Sequence, residues 1–146
     1  MKLGLHRVIL TYLLLGILAA CSSSPDDDEI SEDQKYFFLE SMKQVESGGR
    51  QLQSATLQQT ELAQALTKLD QGLKLAFQVE RKFLDNLDLR LGKNFQRYFI
   101  KGVENYRVGI EAGDEAQQRE GLQLLARWAE FWSAERLAIE ARLNPG

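Results

Sequence analysis

Apolar residues recur at spacings of three and four along most of the chain from Ser31 onward. This spacing places apolar side chains on one face of an α-helix, whereas a half-buried strand would alternate apolar and polar residues. Strand-like alternation of useful length does not occur in the sequence. The pattern therefore predicts an all-α fold whose helices each bury one apolar face.

Start and stop signals divide this region into four predicted helices. Serine and aspartate at a helix start accept hydrogen bonds from free backbone N–H groups, and glycine favours helix ends. The predicted helices run from Ser31 to the Gly48–Gly49 pair, over residues 51–91, from about Asn94 to Ala112, and over residues 115–143. A break or a kink is expected at Gly48–Gly49, because glycine weakens a helix interior. Gly92 is expected to end the second helix. Ser31 with Gln34, and Asp114 with Gln117, have the spacing of a capping box.

The fourth predicted helix carries apolar residues on two adjoining faces, so it needs more than one neighbouring helix. Short turns after the second and third helices favour antiparallel packing of neighbours. We therefore predict that residues 31–146 form a three- or four-helix up-and-down antiparallel bundle with long helices.

Residues 1–20 have the pattern of a signal peptide: a short basic segment followed by an apolar segment too short to span a bilayer. The apolar segment ends in Leu18-Ala19-Ala20-Cys21, which resembles the lipobox of bacterial lipoproteins at all four positions. The resemblance implies cleavage before Cys21 and attachment of acyl chains such as palmitate to this residue. Several acyl chains, each CH₂ worth about 0.8 kcal/mol when buried, would make a lasting membrane anchor. The alternative is an ordinary secretory peptide that happens to end at a cysteine.

The residues after Cys21 bear on localisation. Ser22 occupies the position where, in the enteric sorting rule, an aspartate would favour inner-membrane retention, so we expect the periplasmic face of the outer membrane rather than the inner membrane. Residues 21–30 contain an acidic run and almost nothing to bury, and they are predicted to form a disordered tether. The helical domain would follow from residue 31.

Composition excludes several function classes for the processed chain. His6 lies in the predicted signal peptide and Cys21 is the single cysteine, so no imidazole and no free thiol remain for nucleophilic catalysis or a usual zinc site. Removing Lys2 and Arg7 with the signal peptide leaves 16 basic against 21 acidic residues, a net charge of −5. An acidic chain with scattered cations does not favour nucleic acid. We expect no enzyme activity, metal, cofactor or nucleic-acid partner.

Two groups of residues are further candidate sites: paired carboxylates and a set of glycines on one helix. Asp85 with Asp88, and Glu111 with Asp114, are carboxylate pairs that could bind a cation or transfer protons, but neighbouring arginines and a helix start favour ion pairing and capping. Glycines 102, 109 and 113 lie beside Tyr106 on the third helix. They would allow close approach of either a neighbouring helix or a ligand.

Three aromatic residues of the last helix are candidates for partner binding: Trp128, Phe131 and Trp132. Exposed aromatic side chains on a helix anchor protein partners, although the same residues beside leucines are also typical of a core. Because catalytic residue types are missing and apolar helix faces are abundant, we predict an interaction or assembly module for another envelope protein. The alternative is a carrier or sensor that holds a lipid or another small apolar ligand within the bundle.

Overall fold

The computed structural model describes residues 30–53 and 58–145. The predicted signal peptide, Cys21 and the acidic tether before Ile30 lie outside these residues. The described residues are almost entirely helical and contain no strand, which confirms the predicted all-α class. The helical segments are α1 Glu32–Leu52, α2 Gln59–Ala76, α3 Arg81–Leu87, α4 Leu91–Asn94, a π-helical segment Phe95–Ile100, α5 Lys101–Ala112 and α6 Glu115–Leu143. The chain passes from α4 through the π segment into α5 without a break.

Helices α1 and α2 pack closely through glycines. A Cβ on Gly72 would lie 3.0 Å from the carbonyl oxygen of Ser41, and a Cβ on Gly48 would lie 2.9 Å from the carbonyl oxygen of Ala65. Residue numbers thus rise along α1 as they fall along α2, so the two helices are antiparallel. Of the break or kink expected at Gly48–Gly49, the break is wrong, because α1 continues to Leu52. Gly48 is buried against α2, and this contact offsets the weak helix propensity of glycine.

Helices α5 and α6 form a second antiparallel pair. A Cβ on Gly102 would lie 2.9 Å from the Leu125 side chain, and a Cβ on Gly109 would lie 2.9 Å from that of Gln118. These glycines serve helix packing, which was one of the two predicted roles. Gly113 is different: it has a φ of 68° and ends α5 in the left-handed conformation that glycine tolerates best.

The predicted helix over residues 51–91 is wrong, because α2 ends at Ala76 and α3 begins at Arg81. The side chain of Gln34 forms hydrogen bonds with backbone groups of the segment between α2 and α3. Its amide donates to the Gln78 carbonyl at 3.2 Å, and the Glu80 N–H donates to its oxygen at 2.6 Å. These bonds replace those that a continuous helix would make. Gln34 therefore does not complete the capping box predicted with Ser31, although the Ser31 hydroxyl does accept from its N–H.

A second break in that predicted helix lies between α3 and α4. The Asp88 carboxylate accepts a hydrogen bond from the Arg90 N–H at 2.8 Å, an arrangement typical of aspartate in turns. Gly92, expected to end a helix, instead lies inside α4 and is buried. A Cβ at this position would overlap the Asp85 carboxylate, so glycine allows α4 to lie close to α3.

The core is centred on aromatic rings from α1, the π segment and α6. Phe95 and Phe99 stack with ring centroids 4.8 Å apart, and Phe95 contacts Phe38 at 5.3 Å and Trp128 at 5.6 Å. These contacts join the first and last described helices through the middle of the chain. Within the described residues, no helix combines the length and apolarity needed to cross a membrane.

Candidate functional site

The three aromatic residues predicted to bind a partner lie at the core. Trp128 is only 7% exposed, and Phe131 and Trp132 are partly buried against it. The Trp128 and Trp132 rings stack 5.8 Å apart, and the Arg90 guanidinium covers the Phe131 ring at 5.7 Å. Trp128 therefore has the core role that was the alternative interpretation. Only a small part of its surface is left exposed.

The predicted carboxylate pairs are held by cations and backbone groups. Asp85 accepts from Arg81 Nε at 3.1 Å, and Asp114 caps α6 by accepting from the N–H groups of Ala116 and Gln117. Glu111 pairs with Arg107 at 2.9 Å. These contacts agree with the structural interpretation of both pairs. The described part of the chain contains no cluster of three or more residues suited to holding a metal ion.

Among these carboxylates, Asp88 accepts hydrogen bonds from both the backbone and the side chain of Arg90. Burial opposes its ionisation, but hydrogen bonds from the Arg90 backbone and side chain and the charges of Arg90 and Arg142 outweigh that effect, so the pKa of Asp88 lies below its ordinary value. Arg90 in turn pairs with Glu135 of α6 at 2.7 Å. Asp88 thus stays ionised and ties the α3–α4 junction to α6, a structural role.

A cleft of about 360 Å³ lies where the end of α2, α3, the π segment and α5 meet. Much of its wall is apolar: Ala76, Phe77, Val79, Leu84, Phe95 and Ile100. Phe77 is 65% exposed although it lies directly after α2. The cleft exists because the chain turns between α2 and α3, where Gln34 holds the turn.

The cleft opens onto a group of four cationic side chains, which we call the basic surface: Arg81, Lys93, Arg97 and Lys101. A second, shallower depression runs between them and shares Arg81, Gln96 and Lys101 with the cleft. The apolar wall of the cleft therefore adjoins the basic surface directly. An occupant of the cleft would lie next to the cations.

The charge of the basic surface is only partly neutralised. Arg81 pairs with Asp85, and Lys101 lies 3.4 Å from Glu104. No ion pair involves Lys93 or Arg97 within residues 30–53 and 58–145, and the Arg97 guanidinium lies 5.6 Å from the centre of the Tyr98 ring. Both side chains are exposed. This surface is locally positive on a chain whose net charge is −3.

Three of the four cations follow one line along the helix. Lys93, Arg97 and Lys101 are spaced four residues apart, and residues at this spacing lie on the same side of a helix. The intervening π segment has wider turns, a feature often found at functional sites. At the rise of an α-helix, the eight-residue separation of Lys93 and Lys101 corresponds to roughly 12 Å.

Sequence reasoning missed this site. The four-residue spacing of Lys93, Arg97 and Lys101 is visible in the sequence, but spacing alone does not show that Arg81 joins them beside an apolar cleft. The apolar cleft had no local signal, because it depends on a turn held by a residue far away in the chain. Comparison of the chain with protein-family models, curated protein sequences and solved structures found no match.

Proposed function

We propose that this chain is a lipoprotein anchored to the periplasmic face of the outer membrane, where it acts as an interaction or assembly module for another envelope protein. The observation that carries the module is the apolar cleft continuous with the basic surface. A concave apolar surface with a charged border is suited to receiving side chains of a partner. The lipobox residues Leu18-Ala19-Ala20-Cys21 support the anchor.

We also infer that the domain is an up-and-down antiparallel bundle. The antiparallel α1–α2 and α5–α6 pairs support this arrangement, as do contacts between α2 and α5. The aromatic core links both pairs. In this arrangement the cleft lies at the junction of the two pairs, where α3 and the π segment connect them.

The anchor is tested on the N-terminus itself. Mass spectrometry of the protein from membranes should show a chain beginning at an acylated Cys21, and Cys21→Ala should release the domain from the membrane fraction. A mature N-terminus elsewhere, or a Cys21→Ala form that stays equally membrane-bound, would contradict the lipoprotein assignment.

The contact surface is tested with a pair of exposed apolar residues. Phe77→Ser removes a side chain of the cleft, whereas Leu137→Ser removes one that is 78% exposed on α6, away from the cleft. Tagged full-length chains are crosslinked in living cells, and captured proteins are quantified by mass spectrometry. Capture of one envelope protein should be lost in the Phe77→Ser variant and retained in the Leu137→Ser variant.

Equal capture by both variants would exclude the cleft as the contact surface. Native mass spectrometry of the same preparations separates the two predicted functions. A lipid that co-purifies with the wild type and is lost with Phe77→Ser, without any change in captured protein, would favour the carrier over the interaction module.

A further inference from the structure

We propose that the cleft and the basic surface together bind an acidic peptide segment of the partner, with an apolar side chain in the cleft and carboxylates along the line of cations. This inference rests on the proposed function, because it specifies the chemistry of the partner's contact. The charge and the shape of the site each support it.

The arrangement of charge favours several anionic groups in a row. Lys93, Arg97 and Lys101 extend over roughly 12 Å, whereas a single lipid headgroup or phosphate presents its charge at one point. Successive acidic residues of a peptide present carboxylates over a comparable length. Since no ion pair within the described residues neutralises Lys93 or Arg97, these two cations offer the uncompensated charge.

The shape of the cleft favours a side chain as its apolar occupant. The cleft is open to solvent and has Gln96 and Glu104 among its lining residues, so a long acyl chain would remain partly in water. An apolar side chain of a peptide needs only a small recess. Gln96 lies on the border shared with the basic surface, where its amide can both donate to and accept from a peptide backbone.

The overall charge of the chain argues against an anionic bilayer as the occupant. The processed chain has a net charge of −5 and is repelled by an anionic surface as a whole, while the basic surface attracts only anionic groups that come close to it. A bilayer surface also cannot enter a concave site. A peptide segment can satisfy the cleft and the cations together.

The test places a photo-crosslinking amino acid at Gln96 of the full chain in living cells. The crosslinked segment, mapped by mass spectrometry, should belong to an envelope protein and contain several acidic residues beside an apolar one. The double variant Lys93→Glu, Arg97→Glu should lower the crosslink yield by about tenfold, because attraction becomes repulsion at an exposed surface. Arg119→Glu, an exposed charge reversal on α6, is the control for the effect of a single reversal elsewhere and should keep the yield.

A charge-swap experiment completes the test. Replacing the mapped acidic residues of the partner by lysine should restore crosslinking to the double variant, whose helix content is checked by circular dichroism. The proposal is overturned if the adduct is a phospholipid, a segment without acidic residues, or residues 22–29 of this chain. It is also overturned if the double variant crosslinks as well as the wild type.

The failure of this inference differs from the failure of the proposed function. Tyr36 lies on α1, is 57% exposed and does not line the cleft. An envelope protein captured from a probe at Tyr36 but not at Gln96 would overturn the acidic-peptide site and leave an interaction module. Capture of no envelope protein from either position would overturn both.

Discussion

Trp128 makes ring contacts with four other aromatic side chains, Phe95, Phe99, Phe131 and Trp132. Trp128→Ala would leave a cavity among them, and we expect the free energy of unfolding to fall by about 3–5 kcal/mol. Urea denaturation followed by circular dichroism measures the change. Phe77→Ala, at an exposed ring, should change it by less than about 0.5 kcal/mol. Similar effects at both positions would contradict the core role of Trp128.

Two glycines should respond to alanine in opposite directions. A Cβ on Gly121 would overlap the Tyr106 backbone, which cannot move aside, so Gly121→Ala should destabilise the protein by about 1–3 kcal/mol. Gly49 lies within α1 with no atom within 4 Å of a built Cβ, so Gly49→Ala should stabilise it by about 0.5–1 kcal/mol. The unfolding temperatures of both variants, compared with the wild type, measure these effects. A change of the same sign in both variants would contradict this packing.

At the scale of elements, the two predicted helix starts differ in how firmly they are capped. Asp114 accepts two backbone hydrogen bonds, at 2.9 and 3.0 Å, whereas Ser31 accepts one at 3.4 Å. We expect Asp114→Ala to cost about 1–2 kcal/mol in unfolding free energy, and Ser31→Ala to cost less than about 0.5 kcal/mol. Urea midpoints of the two variants, compared with the wild type, measure this order. A larger loss at Ser31 would contradict it.

At the scale of the whole molecule, the α3–α4 junction is attached to α6 through charged groups. Asp88 bonds to Arg90, which pairs with Glu135, and Arg142 donates to the Leu87 carbonyl. The pKa of Asp88 is lowered in the folded state from an ordinary value of 3.8, so its stabilising effect is complete above that value. The effect is lost as the pH falls through the lower, folded-state pKa.

Asp88→Asn should therefore lower the unfolding free energy at pH 7, and the difference from wild type should shrink below about pH 4. Urea unfolding at pH 7, 5 and 3 measures this. Glu130→Gln, which removes an exposed charge of the same sign on α6, controls for net charge and should show no such convergence. A difference at Asp88 that is as large at pH 3 as at pH 7 would show that ionisation of Asp88 is not responsible.

Local patterns and distant contacts account for different parts of this molecule. The start of α6 at Asp114 could be predicted because a cap depends on residues two or three positions away. The turn between α2 and α3 could not, because Gln34 reaches it from 44 and 46 residues away along the chain. The apolar cleft depends on that turn, so local sequence patterns could not predict it either.

The sequence by itself determined that the domain is helical and where its last helix begins and ends, since periodicity and capping are local properties. Only the tertiary structure decided that Gly48 continues a helix, that Trp128 is buried, and that an apolar cleft meets the basic surface. Each of these depends on which distant residues come into contact, and helix packing across the molecule selects those contacts.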